Sequence, residues 1–70
     1  MNEWQRAEQH ADRALEFFDR GRLVEAEHEL RQALSIHPDN ADWHFNLGLT
    51  LEASGRDGEA LERFERAAEL

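Results

Sequence analysis

Two of the four histidines, His10 and His44, stand 34 positions apart. A metal site would need further ligands beside them, and none is placed at a suitable spacing. Glu25 and His28 have the carboxylate–histidine spacing of di-iron helix bundles, but that chemistry needs two such pairs and two more carboxylates. We therefore expect no metal site and no cofactor, and we interpret His10 and His44 as partly buried residues of helix packing.

Motifs for catalysis are missing from the sequence. The phosphate-binding P-loop, the nucleophile elbow and the zinc-protease pattern are all absent. Ser35 and Ser54 lie near predicted helix ends without an evident base beside them. Acidic residues are plentiful, but a small helical array offers no deep cleft in which burial would raise the pKa of a carboxyl group. We expect that the protein is not an enzyme.

Composition indicates one small, strongly acidic domain. The 70 residues include 16 acidic and 8 basic side chains, which gives a net charge of −8. An acidic surface repels phosphate backbones and anionic lipids, so we expect neither nucleic acid nor membrane as a partner. A basic-apolar protein or peptide suits this charge better. No apolar run approaches the ~18 residues of a membrane span, and we expect a cytoplasmic protein.

The residue types predict an all-α fold. Ala, Leu, Glu and Arg are strong helix formers and dominate the chain, whereas only three residues are β-branched. Glycines and one proline divide the apolar pattern into four segments. The predicted helices, antiparallel and paired as two tandem helix–turn–helix hairpins, cover about 3–20, 23–36, 41–53 and 58–69.

Polar residues precede the predicted helices where N-caps are expected. Asn2 is followed three residues later by Gln5, as a capping box requires. Asp39 or Asn40 is expected to cap the third helix, and Asp57 the fourth.

A sequence period of 34 residues underlies this pattern. The hexapeptide GRLVEA, from Gly21, returns as GRDGEA, from Gly55. Small residues recur at equivalent places, where two antiparallel helices can approach closely. The identical pairs are Ala7 with Ala41, His10 with His44, Leu15 with Leu49, Gly21 with Gly55, Arg22 with Arg56, Glu25 with Glu59, Ala26 with Ala60, and Ala33 with Ala67. Similar pairs include Ala14 with Gly48 and Leu30 with Phe64.

This pattern resembles the tetratricopeptide repeat, a helix–turn–helix unit of about 34 residues. The matching residues of the second unit are Leu47, Gly48, Gly55, Ala60, Phe64 and Ala67. The first unit departs from the family at Arg13, which stands where the family has Leu. The resemblance implies one domain, 1–70, with a helix extension at 1–6, repeat one at 7–40 and repeat two at 41–70. It also implies a protein–protein interaction module.

In this family one stripe of each first helix faces a concave groove. The resemblance assigns to that groove Asp12, Leu15, Phe18, Asp19, Asp42, Phe45, Asn46, Leu49 and Glu52. The groove would be apolar in the middle with acidic edges, which suits a basic-apolar helix or extended peptide. The alternative is that its apolar residues belong to the core or contact another copy of the chain.

Repeats of this kind usually need about three units for stability, and this chain has two. The last helix carries Leu61, Phe64, Ala68 and Leu70 without a capping helix to cover them. Such an apolar strip favours self-association as a homodimer or larger homo-oligomer. The alternatives are a purely structural stacking unit and a fragment of a longer repeat scaffold.

Overall fold

The computed structural model describes all 70 residues and contains four helices and no strand. These are α1 (Glu3–Asp19), α2 (Leu23–Ile36), α3 (Ala41–Ala53) and α4 (Asp57–Glu69). Helices α1 and α2 form one hairpin, α3 and α4 form the second, and α3 packs on α2. The molecule is a flat slab of 35 × 29 × 14 Å. The prediction of an all-α fold with two tandem hairpins is confirmed.

Two of the three predicted N-caps are confirmed. The Asn2 side chain accepts a hydrogen bond from the Gln5 backbone at 2.8 Å, and Gln5 returns one to the Asn2 backbone N–H at 3.1 Å. Asn40 caps α3 by accepting from the backbone N–H of Trp43 at 3.0 Å. The prediction for α4 is wrong, because Arg56 is the N-cap and Asp57 is already the first helical residue. There Asp57 is favoured by the helix dipole instead.

The repeated hexapeptide begins at the turn of each hairpin. Gly21 has a φ of +74° and Gly55 a φ of +79°, the left-handed region that a side chain disfavours. Each glycine therefore ends one helix and lets the chain reverse into the next.

The arginine after each of these glycines is held by the glutamate three residues later. Arg22 donates through Nε to Glu25 at 2.8 Å, and Arg56 donates through Nε to Glu59 at 2.7 Å. The hydrogen bond from Arg56 lowers the pKa of Glu59 below its usual range. Arg56 also donates to Glu27 of α2 at 2.6 Å. The second copy of the motif thus joins the two hairpins as well as starting α4.

The core lies where the two hairpins meet. Small residues of α1 let the leucines of α2 and α3 approach, and Leu47 and Leu51 are completely buried. The core residues are Ala7, Ala11, Ala14, Leu30, Ala33, Leu34, Trp43, Leu47, Leu51 and Ala60.

The N-terminal turn of α1 is fixed by aromatic contacts. Trp4 stacks on Trp43 of α3, with ring centroids 5.5 Å apart, and its ring meets His37 edge-on at 4.9 Å. Nε2 of His37 is buried and has no hydrogen-bond partner. These contacts tie the residues before the first repeat to the corner between the two hairpins.

The closest approach between α3 and α4 is at Gly48. A Cβ atom on this glycine would lie 2.6 Å from Cε1 of Phe64, well inside van der Waals contact. The equivalent pair in the first hairpin is Ala14 with Leu30, both buried. A smaller residue on the first helix is therefore matched by a larger one on the second.

We expect Gly48→Ala to destabilise the wild-type chain by about 1–3 kcal/mol, because the Phe64 ring must move out of a packed position. In a Phe64→Leu background the same change recreates the Ala14–Leu30 pair and should stabilise, because Ala is the better helix former by about 1 kcal/mol. Urea unfolding of the four chains measures this coupling. An equal effect of Gly48→Ala in both backgrounds would contradict it.

Candidate peptide-binding groove

The first helices of the two hairpins share an open apolar groove. Leu15 and Phe18 of α1 face Leu49 of α3 across a cavity of about 200 Å³. Leu15 is 47 % exposed, and Phe18 and Leu49 are partly buried, so apolar surface is available to a ligand. Its walls also include Asp19 and Asn46. These five predicted groove residues are brought together.

Three residues line the groove that the sequence reasoning had not assigned to it: Ala14, Leu30 and Thr50. All three are buried, so they form its floor rather than its rim. The Thr50 hydroxyl donates to the backbone carbonyl of Asn46 at 2.9 Å. Thr50 lies one turn after Asn46 in sequence, and that spacing is a signal that could have identified it.

The polar groups of the groove are acidic or neutral. Asp19 is exposed at its edge, and no basic side chain lines the cavity. Asp12 is exposed two turns earlier on α1. The Asn46 side-chain amide makes no hydrogen bond within the chain and is free to pair with a ligand. The arrangement can therefore hold an apolar group together with a cation.

The other predicted groove residues lie in different depressions. Asp42 and Phe45 line an open hollow of about 500 Å³ between α3 and α4, together with Phe64. Glu52 borders a third depression beside Leu61. The turn of helix that separates Phe45 from Leu49 directs these two side chains into different hollows.

The residues predicted for self-association are mostly exposed. Leu61 is 57 % exposed, Leu70 is 45 % exposed, and Ala68 is also exposed. Phe64 differs because it is partly buried within the chain. Its ring packs on Gly48 and lies 5.4 Å from the ring of Phe45.

The two equivalent histidines each bind the second helix of their own hairpin. Nδ1 of His10 lies 3.2 Å from a carboxylate oxygen of Glu29, and Nδ1 of His44 lies 3.4 Å from Arg63. His44 Nε2 lies 2.7 Å from the Pro38 carbonyl, so this nitrogen carries the proton. His10 is partly buried, as predicted, whereas His44 is more completely buried than predicted. The buried Glu29 was not singled out in the sequence.

No three His, Asp or Glu side chains lie close enough together to hold a metal ion. None of the four helices combines the length and the apolar character needed to cross a lipid bilayer.

Two consecutive helix–turn–helix hairpins, with a groove between their first helices, define an α-helical repeat protein. The family model described as tetratricopeptide repeat matches residues 11–70, which is most of the chain. The chain belongs to the tetratricopeptide-repeat family, and this indicates a module for protein–protein interaction. No curated protein and no solved structure gave a significant match to it.

Proposed function

We propose that this chain binds a basic-apolar peptide or amphipathic helix in the groove between α1 and α3. The observation that carries the proposal is the shared cavity of Leu15, Phe18 and Leu49, whose charged lining consists of Asp19 alone. The net charge of −8 adds a long-range attraction for a basic ligand.

Each part of the groove has a separate task in this proposal. Leu15, Phe18 and Leu49 accept apolar side chains of the ligand. Asp19 pairs with an Arg or Lys beside that apolar anchor, and Asp12, two turns away on α1, adds a second negative charge. Asn46 hydrogen-bonds the ligand backbone, because its amide is not used within the chain.

The test uses a fluorescent peptide library with Leu or Phe next to Arg, measured by anisotropy against the 70-residue chain. Replacing Leu15 and Leu49 together by Ser should weaken capture at least about tenfold, the equivalent of about 1.4 kcal/mol. Asp19→Asn should weaken basic peptides more than their citrulline analogues. Val24→Ser is the control, because Val24 is 80 % exposed and lies on α2.

Circular dichroism establishes that each variant remains folded. Equal capture by the wild type and by the folded double variant would contradict groove binding. If no peptide binds but the chain still self-associates, the purely structural role would be favoured.

The second proposal is self-association through the last helix. It is favoured by the apolar side chains of Leu61 and Leu70, which remain 57 % and 45 % exposed within the chain. Light scattering over a concentration series tests it, and a strictly monomeric species at high concentration would remove it. Under this proposal Leu61→Ser should break the assembly without affecting the groove. The cytoplasmic location and the exclusion of nucleic acid and membranes stay predictions.

A further inference from the structure

We propose that copies of this chain associate head to tail. The inference rests on the self-association proposed above and assigns its geometry. The tail face is the open surface of α3 and α4, with Phe45, Leu61, Glu65, Ala68 and Glu69. The head face is the edge of the first hairpin that points away from α3 and α4, with Gln9, Arg13 and Phe17.

The contact between the two hairpins of one chain provides the template. A depression of about 240 Å³ at that contact is lined by Arg31, Leu34 and Ser35 of α2 and, from the second hairpin, by His44, Leu47 and Arg63. The residues 34 positions after these three α2 residues are Glu65, Ala68 and Glu69, and they occupy the equivalent part of the tail face. The residue 34 positions before Leu47, which is completely buried at the internal contact, is Arg13 of the head face.

The substitutions on the two faces complement each other. Within the chain, Leu47 is completely buried and lies beside Leu34. At the equivalent contact between two copies, Arg13 of one copy would take the place of Leu47. Ala68 of the other copy would take the place of Leu34 and is smaller. The shorter alanine leaves room for the longer arginine side chain.

Apart from Arg13 itself, charge changes in the same direction at two of the three positions where it differs. At the third, Arg63 of the internal contact is replaced on the head face by Glu29, whose largely buried carboxylate is already paired with His10 at 3.2 Å. The positions of Arg31 and Ser35 at the internal contact are occupied on the tail face by Glu65 and Glu69. An arginine that enters from a second copy would therefore lie between two carboxylates, whereas at the internal contact it would meet another arginine. Charge-assisted hydrogen bonds to both carboxylates satisfy the guanidinium as it is desolvated.

The three charged groups are available for this contact. Arg13 is 58 % exposed, and its ion pair in the chain is a loose one to Glu29 at 3.9 Å. Glu65 makes no hydrogen bond or ion pair within the chain, and Glu69 is 3.5 Å from Arg66. Neither face loses a strong internal interaction when the two meet.

Residue size follows the same pattern at the N-terminal end of the contact. Trp43 and Ala11 belong to one buried cluster at the internal contact. Their counterparts at the proposed contact are Gln9 on the head face and Phe45 on the tail face. The volume lost by replacing tryptophan with glutamine is returned by replacing alanine with phenylalanine, so the two faces remain complementary in shape.

A head-to-tail contact joins two different surfaces, so it produces open chains of copies rather than a closed pair. A two-fold contact between two tail faces would bring Glu65 and Glu69 of both copies together and would not use Arg13. The role of Arg13 therefore separates the two arrangements.

Sedimentation velocity of the 70-residue chain at low salt tests the proposal. Arg13→Glu should weaken association about tenfold to a hundredfold, the range of a charge-assisted hydrogen bond. Arg20→Glu is the matched control, since it makes the same charge change at a position whose counterpart, Ser54, is exposed. Arg13→Gln serves as a milder variant, and circular dichroism establishes that each variant is folded.

Mixing two disabled variants gives the sharper result. Arg13→Glu disables the head and keeps the tail, whereas Glu65→Arg with Glu69→Arg disables the tail and keeps the head. Each should sediment as a monomer alone, and their mixture should regain the open series with the two variants alternating, because every head then meets a tail of opposite charge. Combining all three changes in one chain should restore the open series.

The outcomes separate this inference from the proposal on which it rests. A wild type that stays monomeric at high concentration overturns both. A wild type that associates, with Leu61→Ser disruptive and Arg13→Glu without effect, overturns the head-to-tail geometry only. Self-association would then be two-fold.

Discussion

Replacing Leu47 with Ala is expected to cost this protein about 2–5 kcal/mol of unfolding free energy. Leu47 is completely buried where α3 meets the first hairpin, so its removal leaves a cavity in the only core of the chain. A domain of this size has a total stability of about 4–10 kcal/mol. The single substitution should therefore remove around half of it, and urea unfolding followed by circular dichroism should show a large fall in midpoint.

Leu61→Ala is the matched control, because the same atoms are removed from a side chain that is 57 % exposed. It should change stability by no more than about 0.5 kcal/mol at concentrations where the chain is monomeric. Equal effects of the two substitutions would mean that the hairpins do not pack through Leu47.

Breaking the pair of His10 and Glu29 is expected to destabilise the fold strongly. Nδ1 of His10 lies 3.2 Å from Glu29, whose side chain is only 12 % exposed. His10→Leu leaves this carboxylate without its closest partner, with Arg13 as far as 3.9 Å away. An unsatisfied buried group of this kind costs about 1–3 kcal/mol. Urea unfolding at neutral pH measures the loss.

Replacing both residues should cost far less than replacing His10 alone. The double variant with Leu at both positions contains no unpaired charge, and such replacements of buried ion pairs are often neutral or stabilising. Glu29→Leu alone should be the milder single change, because a neutral imidazole is cheaper to bury than a carboxylate. Glu16→Leu, at an exposed position of α1, controls for the added apolar group. Strictly additive single effects would argue against an energetic coupling of the pair.

The local features of the fold could be predicted from the sequence with little error. Gly21 and Gly55 mark the two hairpin turns, and Asn2 with Gln5 forms the predicted capping box. These features depend on backbone preferences and on hydrogen bonds between residues three or four apart, so the necessary information lies within one turn of helix. The one cap that failed, Asp57, failed by a single residue, which is the usual uncertainty of a helix boundary.

The groove could be predicted only in part. The period of 34 residues correctly places Leu15 and Leu49 at equivalent points of α1 and α3. It does not reveal that Phe45, one turn from Leu49, faces a different hollow. The relative rotation of the two first helices decides which turn of each lines the shared cavity, and that rotation is set by packing against α2 and α4.

Periodicity by itself determined the helices, their pairing and the family of this protein, because those depend on side chains that recur in phase along one chain. The tertiary structure decided which residues meet across helices: Phe64 on Gly48, Trp4 on Trp43, and His10 on Glu29. Each of these contacts joins two residues that are at least 16 positions apart in the sequence and lie on different helices. Whether two such side chains fit depends on interatomic distances to within a few tenths of an ångström. A one-dimensional pattern does not contain those distances.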